Sequence, residues 1–440
     1  MNNTSYKTRA LLVFLTAGLC LISGNAGAEI PGITGPTFNL SARADCIYGG
    51  DGLGILIWGY ADGDNRGQYP GPTLLVAEDQ TVVINLTNID IPEPVSIVFP
   101  GQVGVQATGG AAGVITREAS IGETVTYTFT ASEPGTYLYN SGSHADLQVE
   151  MGLFGAMIIR PAMGQQYAYN DAQSYFDVEY LFLMSELDLR IHDAIAFGQP
   201  YDTSTFFPVY WFLNGRNAPD TMEENFVPWL PTQPYNCMPM MMPGQKLLCR
   251  FIGAGRQSHP FHTHGNHFAI IARDGRLMSS APGSGIDLME KAFSVGTAPG
   301  QTYDAIFEWT GEKLGWDMYG HQQDRDEAPT GNFPGPEDID HDGDGVFDEV
   351  MMEMHEYEPD HGKPFPVDLP QNQDLTFGEM YNGSPFLGGE GLLPPGQGGF
   401  NPMGAFVYMW HSHTEKELTN NDIFPGGLMT HLMIMPHMMP

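Results

Sequence analysis

The chain has 440 residues, with 52 Asp and Glu against 18 Lys and Arg, and a formal net charge of -34. So large an acidic excess argues against nucleic acid or an anionic membrane surface as a partner, and it favours solubility and the attraction of cations. The length suffices for two or three domains, and 54 Gly and 34 Pro among short Val, Ile, Thr and aromatic runs point to a turn-rich all-β protein rather than a helical one.

Residues 1–28 read as a secretory signal peptide. Lys7 and Arg9 precede an apolar run over 10–22, and Ala26-Gly27-Ala28 offers small residues for cleavage before Glu29. The expectation is an exported chain, periplasmic or extracellular at the cell surface, made more acidic by the loss of Lys7 and Arg9. Cys20 would be discarded with the signal. Cys46, Cys237 and Cys249 remain, so at most one internal disulfide can form, and Cys237 with Cys249 is the local candidate. No other apolar run is long enough to span a bilayer, so no integral membrane span is expected.

A first domain over 29–161 carries strand patterns at 38–45, 54–60, 81–88, 93–100, 123–130, 135–140 and 152–160. Short strands separated by Gly, Pro, Asn or Asp predict a Greek-key β-sandwich. A polar, turn-like segment at 162–175 reads as a linker. The second domain, 176–440, shows strand patterns at 177–186, 210–215, 246–252, 268–273, 302–309, 406–413 and 428–435. It is interrupted over 320–404 by a Gly/Pro/Asp-rich insertion that is long for a connection without a purpose.

The chemistry concentrates in two stretches, His259-Pro260-Phe261-His262-Thr263-His264-Gly265-Asn266-His267 and Trp410-His411-Ser412-His413. Side chains two apart on a strand share a face, so each His-x-His pair points one way, and four imidazoles converge if the strands are neighbours. Imidazole suits copper, zinc, iron and nickel, and residue types alone do not choose among them. The bland alternative is a polar surface that happens to hold these rings.

Together these motifs resemble the multicopper oxidase family, which is built from cupredoxin domains. The likeness rests on Pro70-Gly71-Pro72-Thr73 before the 81–88 strand, Met151-Gly152-Leu153-Phe154-Gly155 in the strand closing the first domain, Asn214-Gly215, and the 259–268 stretch. The resemblance implies two cupredoxin-like Greek-key sandwiches. It makes His259 a ligand of the blue copper, and His262, His264, His411 and His413 ligands of the oxygen-reducing copper cluster. It also exposes departures. Ser412 stands where the family has the cysteine that binds blue copper, and no histidine follows within 414–425. The two His-x-His pairs of the first domain fall on Val98-Phe99-Pro100 and on Asn140 and Gly142, with His144 the only nearby imidazole.

The surviving metal set is therefore His259, His262, His264, His411 and His413, with His267 and His431 close in sequence. It suggests a reduced copper site with no blue copper, in an oxidoreductase acting on a small molecule or metal ion. The competing expectation is a non-catalytic copper-binding, storage or structural protein. Two-domain relatives assemble as trimers, so a homotrimer is implied by resemblance. Methionine clusters at 238–242, 351–354 and 429–439 could coordinate cuprous copper or simply pack. In the insertion, Asp340, Asp342, Asp344, Asp348 and Glu349, with Gly345 at the sixth place, resemble a calcium loop of the D-x-D-x-D-G type; the acidic twelfth ligand is replaced by Met351.

Overall fold

The computed structural model describes residues 30–242, 244–309, 391–392, 400–401 and 406–435. The expected signal peptide and the expected calcium loop lie outside the described residues.

The first half forms two facing sheets. One has strands Ile33–Thr34, Gly71–Ala77, Phe154–Arg160 and Gly135–Asn140; the other has Gly54–Asp62, Thr37–Tyr48, Thr81–Asn88, Thr124–Thr130 and Gln106–Gly109. The strand Thr81–Asn88 shows why the sequence adopts this form. Val82, Ile84 and Leu86 are fully buried while the residues between them face outward, a period of two that only an extended chain satisfies. Burying each such side chain contributes roughly 1.5–3 kcal/mol.

The expected strand at 93–100 is absent. Val95 and Val98 make only isolated bridges, to Ala119 and Asn140. Pro92, Pro94 and Pro100 lack the amide hydrogens that a ladder needs, although Val95, Ile97 and Phe99 are buried as a strand's apolar face would be.

In the second half, one sheet joins Tyr210–Leu213, Val178–Leu187, Lys246–Gly253, Thr302–Glu308, Phe268–Arg273 and Arg276–Leu277, with Glu290–Ala292 beside Phe268–Arg273. The other runs Met240–Met241, Met429–Ile434, Phe406–Ser412, His259–His262 and Ser294–Thr297. Between them Phe182, Phe251, Phe261, Phe268 and Trp410 pack ring against ring at 4.9 to 6.0 Å with Phe307. Cys237 and Cys249 lie in this core as free thiols, so the expected disulfide does not form here, and burial raises both thiol pKa values.

The short helix Leu189–Ala196 was not anticipated. Asp188 caps it by accepting from the Arg190 amide, and His192 on its buried face bonds to the Leu56 and Glu150 carbonyls of the first half.

The halves meet along a closed seam of Ile57, Tyr69, Phe154, Leu183, Tyr210 and Phe212, where the Tyr69 hydroxyl lies 3.1 Å from Ser185 Oγ. Beside it a buried charge network ties the sheets together. Arg250 donates to Glu179 at 2.9 Å, Arg160 donates to the same carboxylate at 2.8 Å, and Thr136 and Tyr169 donate to Asp304 at 2.5 and 2.6 Å. Burial by itself would raise the Glu179 pKa, but the charges and hydrogen bonds of Arg250 and Arg160 outweigh it and hold the carboxyl below its usual range. Tyr169 belongs to the expected linker, so that segment is docked rather than loose.

Candidate metal centre

The strand His259–His262 lies between Ser294–Thr297 and Phe406–Ser412. His262 is directly opposite His411, and Phe261 directly opposite Ser412. Residues opposed in an antiparallel pair share a face, so His262 and His411 stand on the outer face while Phe261 and Ser412 turn inward. His264 follows the strand in a turn closed by Gly265, whose φ of 103° is a conformation that side-chain-bearing residues rarely adopt. The Trp410 indole fixes that turn by donating to the His264 carbonyl at 2.9 Å. His413 extends the ladder past Ser412, its amide donating to the Pro260 carbonyl at 2.9 Å.

Four imidazoles thus meet. Ring centres are 5.1 Å apart for His262 and His264, 5.6 Å for His262 and His411, 4.8 Å for His262 and His413, 5.3 Å for His264 and His411, and 5.5 Å for His411 and His413. Imidazoles bound to one ion through nitrogens at about 2.0–2.1 Å have ring centres roughly 5 Å apart, so the spacing suits a shared metal. Most of the rings pack edge to face, and no three His, Cys, Asp or Glu side chains among the described residues form a ready-made metal group as they stand. The chemistry and spacing of these donors fit copper, and turning the rings about their own side-chain bonds is what would bring the nitrogens onto one centre.

Two of the rings are already oriented by neighbours. His262 Nδ1 is 2.9 Å from Ser294 Oγ, and His411 Nδ1 is 2.7 Å from the Ser412 carbonyl, which makes Nδ1 of His411 the donor and leaves its Nε2 lone pair for a metal. Burial, followed by the mutual repulsion of His264, His411 and His413, lowers the His262 pKa to about 4. Burial likewise lowers that of His411, against the pull of the Ser412 carbonyl. Both rings are therefore neutral at ordinary pH, the form that binds metal. His262 and His411 are 7% and 8% exposed, whereas the His413 side chain is 55% exposed, so the cluster is shut on one side and open on the other. Phe293, half exposed, stands at the opening with its ring 5.5 Å from His262 and 5.3 Å from His267.

His259 departs from the expected ligand set. It sits three residues before His262, on the opposite face of the strand, fully buried and in no ring contact with the four. Its Nε2 is 2.8 Å from Glu186, and its Nδ1 is 3.0 Å from Glu417, within ion-pair reach though off the line of a good hydrogen bond. Burial favours the neutral ring, but the Glu186 hydrogen bond and the negative charges of Glu186 and Glu417 prevail and push its pKa up to about 9. Ser412 donates to the same Glu417 at 2.5 Å. Where the resemblance calls for a thiolate-bound copper, the chain has an imidazolium held by two carboxylates.

Glu186 and Glu417 were not singled out in the sequence, because an isolated Glu in a strand or loop gives no sign of a partner far along the chain. In the first half, Val98 and Asn140 bridge each other, and a side chain on Gly142 would run into Val98. The alignment thus brings those positions together without supplying an imidazole. Around them Ser96, Ser141, Ser143, Gln148 and Glu118 bond among themselves. His144 leans away onto Glu93 at 2.8 Å.

Residues 65–164 match the family model described as multicopper oxidase. Over 123 residues the chain is 38% identical to an L-ascorbate oxidase from Brassica rapa, covering 28% of this chain and 20% of that protein. It is 25% identical over 277 residues to copper resistance protein A from Escherichia coli, covering 56% of this chain and 43% of the relative. The chain therefore spans less than half the length of these relatives. Among solved structures, the blue copper oxidase from Nitrosomonas europaea covers 90% of this chain, and 85% of its own length is matched, with a TM-score of 0.53 at 18% identity, a likeness of fold.

Proposed function

We propose that the chain is an exported copper-dependent oxidoreductase of the multicopper oxidase kind that works at His262, His264, His411 and His413 without a blue copper. The observation that carries this reading is the meeting of these four rings at separations suited to one shared metal. Copper bound there would supply one-electron chemistry. Ser294 and the Ser412 carbonyl orient the two buried rings, Phe293 borders the approach, and the open side by His413 admits a small reductant or a metal ion drawn by the acidic surface. The long-range electron entry of the family is absent from this scheme, because Ser412 offers a neutral hydroxyl in place of a thiolate and His259 is engaged by carboxylates. The same features support a second reading, in which the protein binds copper without turnover, for storage or structure. A periplasmic or cell-surface location and a homotrimer belong to the proposal. In such a trimer the partner's first half would bring no imidazole to the cluster at the positions matching Val98, Pro100, Asn140 and Gly142.

The test is metal analysis and electron spin resonance of the copper-loaded protein and of a variant with all four histidines replaced by Ala, with oxygen uptake measured across a panel of reductants. Copper that disappears with the four rings, together with uptake that they sustain, is the expected outcome. Copper retained by the variant overturns the site, and copper lost without any uptake in either protein favours the binding reading.

A further inference from the structure

The strand register places more than histidines on the outer face of the C-terminal sheet. His262, His411 and Met429 are opposed in one row across three neighbouring strands. The next row sets Met409 opposite His431, and the one beyond sets Val407 opposite Met433, which is itself paired with Met240. Along Met429–Ile434, the residues Met429, His431 and Met433 share this face, while Thr430, Leu432 and Ile434 turn inward and are fully buried. Methionine is a common gap-filler of cores, but the core here is filled by Tyr408, Trp410, Leu432 and Ile434 of the same two strands; Met409 and Met429 lie outside it, and Met433 is buried on the other face of the sheet. Met409, Met429 and His431 are half-buried. Only desolvation acts on the His431 ring, with no charged or hydrogen-bonding group of the described residues beside it. Directly opposed side chains have Cβ atoms about 4.5–5.5 Å apart and diagonal ones about 7–8 Å, within reach of a flexible thioether.

Three thioethers around one unbonded imidazole are a soft donor set. It favours a soft monovalent cation over the hard or borderline divalent ions. We propose that Met409, Met429 and Met433, grouped around His431, form a cuprous-ion site beside the four imidazoles and distinct from them. The site binds its ion without a redox step. It stands independently of the proposed function, because it uses none of the four rings.

The experiment is an anaerobic titration of the full chain with copper(I) against a chromophoric chelator, repeated with silver(I) as a redox-inert probe, and X-ray absorption to identify the donor atoms. Leucine preserves the methionine volume, so M409L/M429L/M433L is expected to fold as the parent, which circular dichroism checks. The wild type is expected to take up one more tightly held copper(I) than the triple variant, with sulfur in its first shell. H431F, a single change, is expected to weaken that ion at least tenfold. An unchanged copper(I) affinity in the triple variant overturns the proposal. So does loss of the sulfur signal when His262, His264, His411 and His413 are replaced while the three methionines remain, since the two sites would then be one.

Discussion

The buried His259 triad offers a quantitative test. Its two carboxylates raise the His259 pKa from 6.5 to about 9 in the folded state. A shift of that size corresponds to about 3 kcal/mol of stability. Because the folded pKa lies above the unfolded one, this contribution is complete below pH 6.5 and is lost as the pH rises through about 9. E417Q keeps an acceptor for the Ser412 hydroxyl but removes one charge, so the His259 pKa should fall and the alkaline loss should shrink. Urea unfolding of wild type and E417Q at pH 6 and pH 9.5 measures the difference, and groups that titrate alike in both proteins cancel. Nitrogen NMR of the imidazole reports the proton directly. Equal pH dependence in the two proteins, or a neutral His259 at pH 7, would refute the reasoning.

Other expectations follow from single contacts. S412C alone should produce no intense blue absorption on copper loading, because Glu186 and Glu417 still hold His259, and a spectrophotometer decides it. E179Q leaves the fully buried Arg250 short of its nearest charge and should cost on the order of 3–5 kcal/mol in denaturant unfolding. G265A forces a side chain onto a backbone with φ 103° and sets a Cβ 3.4 Å from Tyr408. It should destabilise by roughly 1–3 kcal/mol and lower copper content by displacing His264. F293A should leave copper content intact while changing KM for the bulkier reductants more than for the small ones, since it removes the half-exposed ring packed against His262 and His267 and keeps the Phe293 backbone that bonds to His262.

Much of the fold was legible because its strands bury one face. The alternation of Val82, Ile84 and Leu86 fixes a strand without any knowledge of its neighbours, and the same holds for Thr124–Thr130, whereas Lys246–Gly253 and Thr302–Glu308 are buried on both faces and show as short apolar runs. The stretch 93–100 has equally apolar residues, yet its prolines remove ladder donors, and apolarity alone could not reveal that. The four-ring cluster was half legible. Two His-x-His pairs are local, but whether their strands adjoin is a matter of tertiary pairing, which sets His262 against His411. His259 stands apart from the four rings because its odd spacing from His262 sends it to the opposite face, the face of Ser412, where parity and family likeness agree; the carboxylates that hold it there come from residues far along the chain. The free Cys237 and Cys249 show a similar limit, since nearness in sequence says nothing of whether two thiols are aimed at each other.

The seam between the sandwiches has a mechanical consequence. A carboxylate shared by Arg160 and Arg250, and a second one gripped by Thr136 and Tyr169, cross from one half to the other where no water can take over the bonds. Opening the halves along this line would break several buried charge-assisted bonds at once, which makes hinge-like motion there costly. The imidazoles have no need of such a hinge, because the exposed His413 already leaves one side of the cluster open.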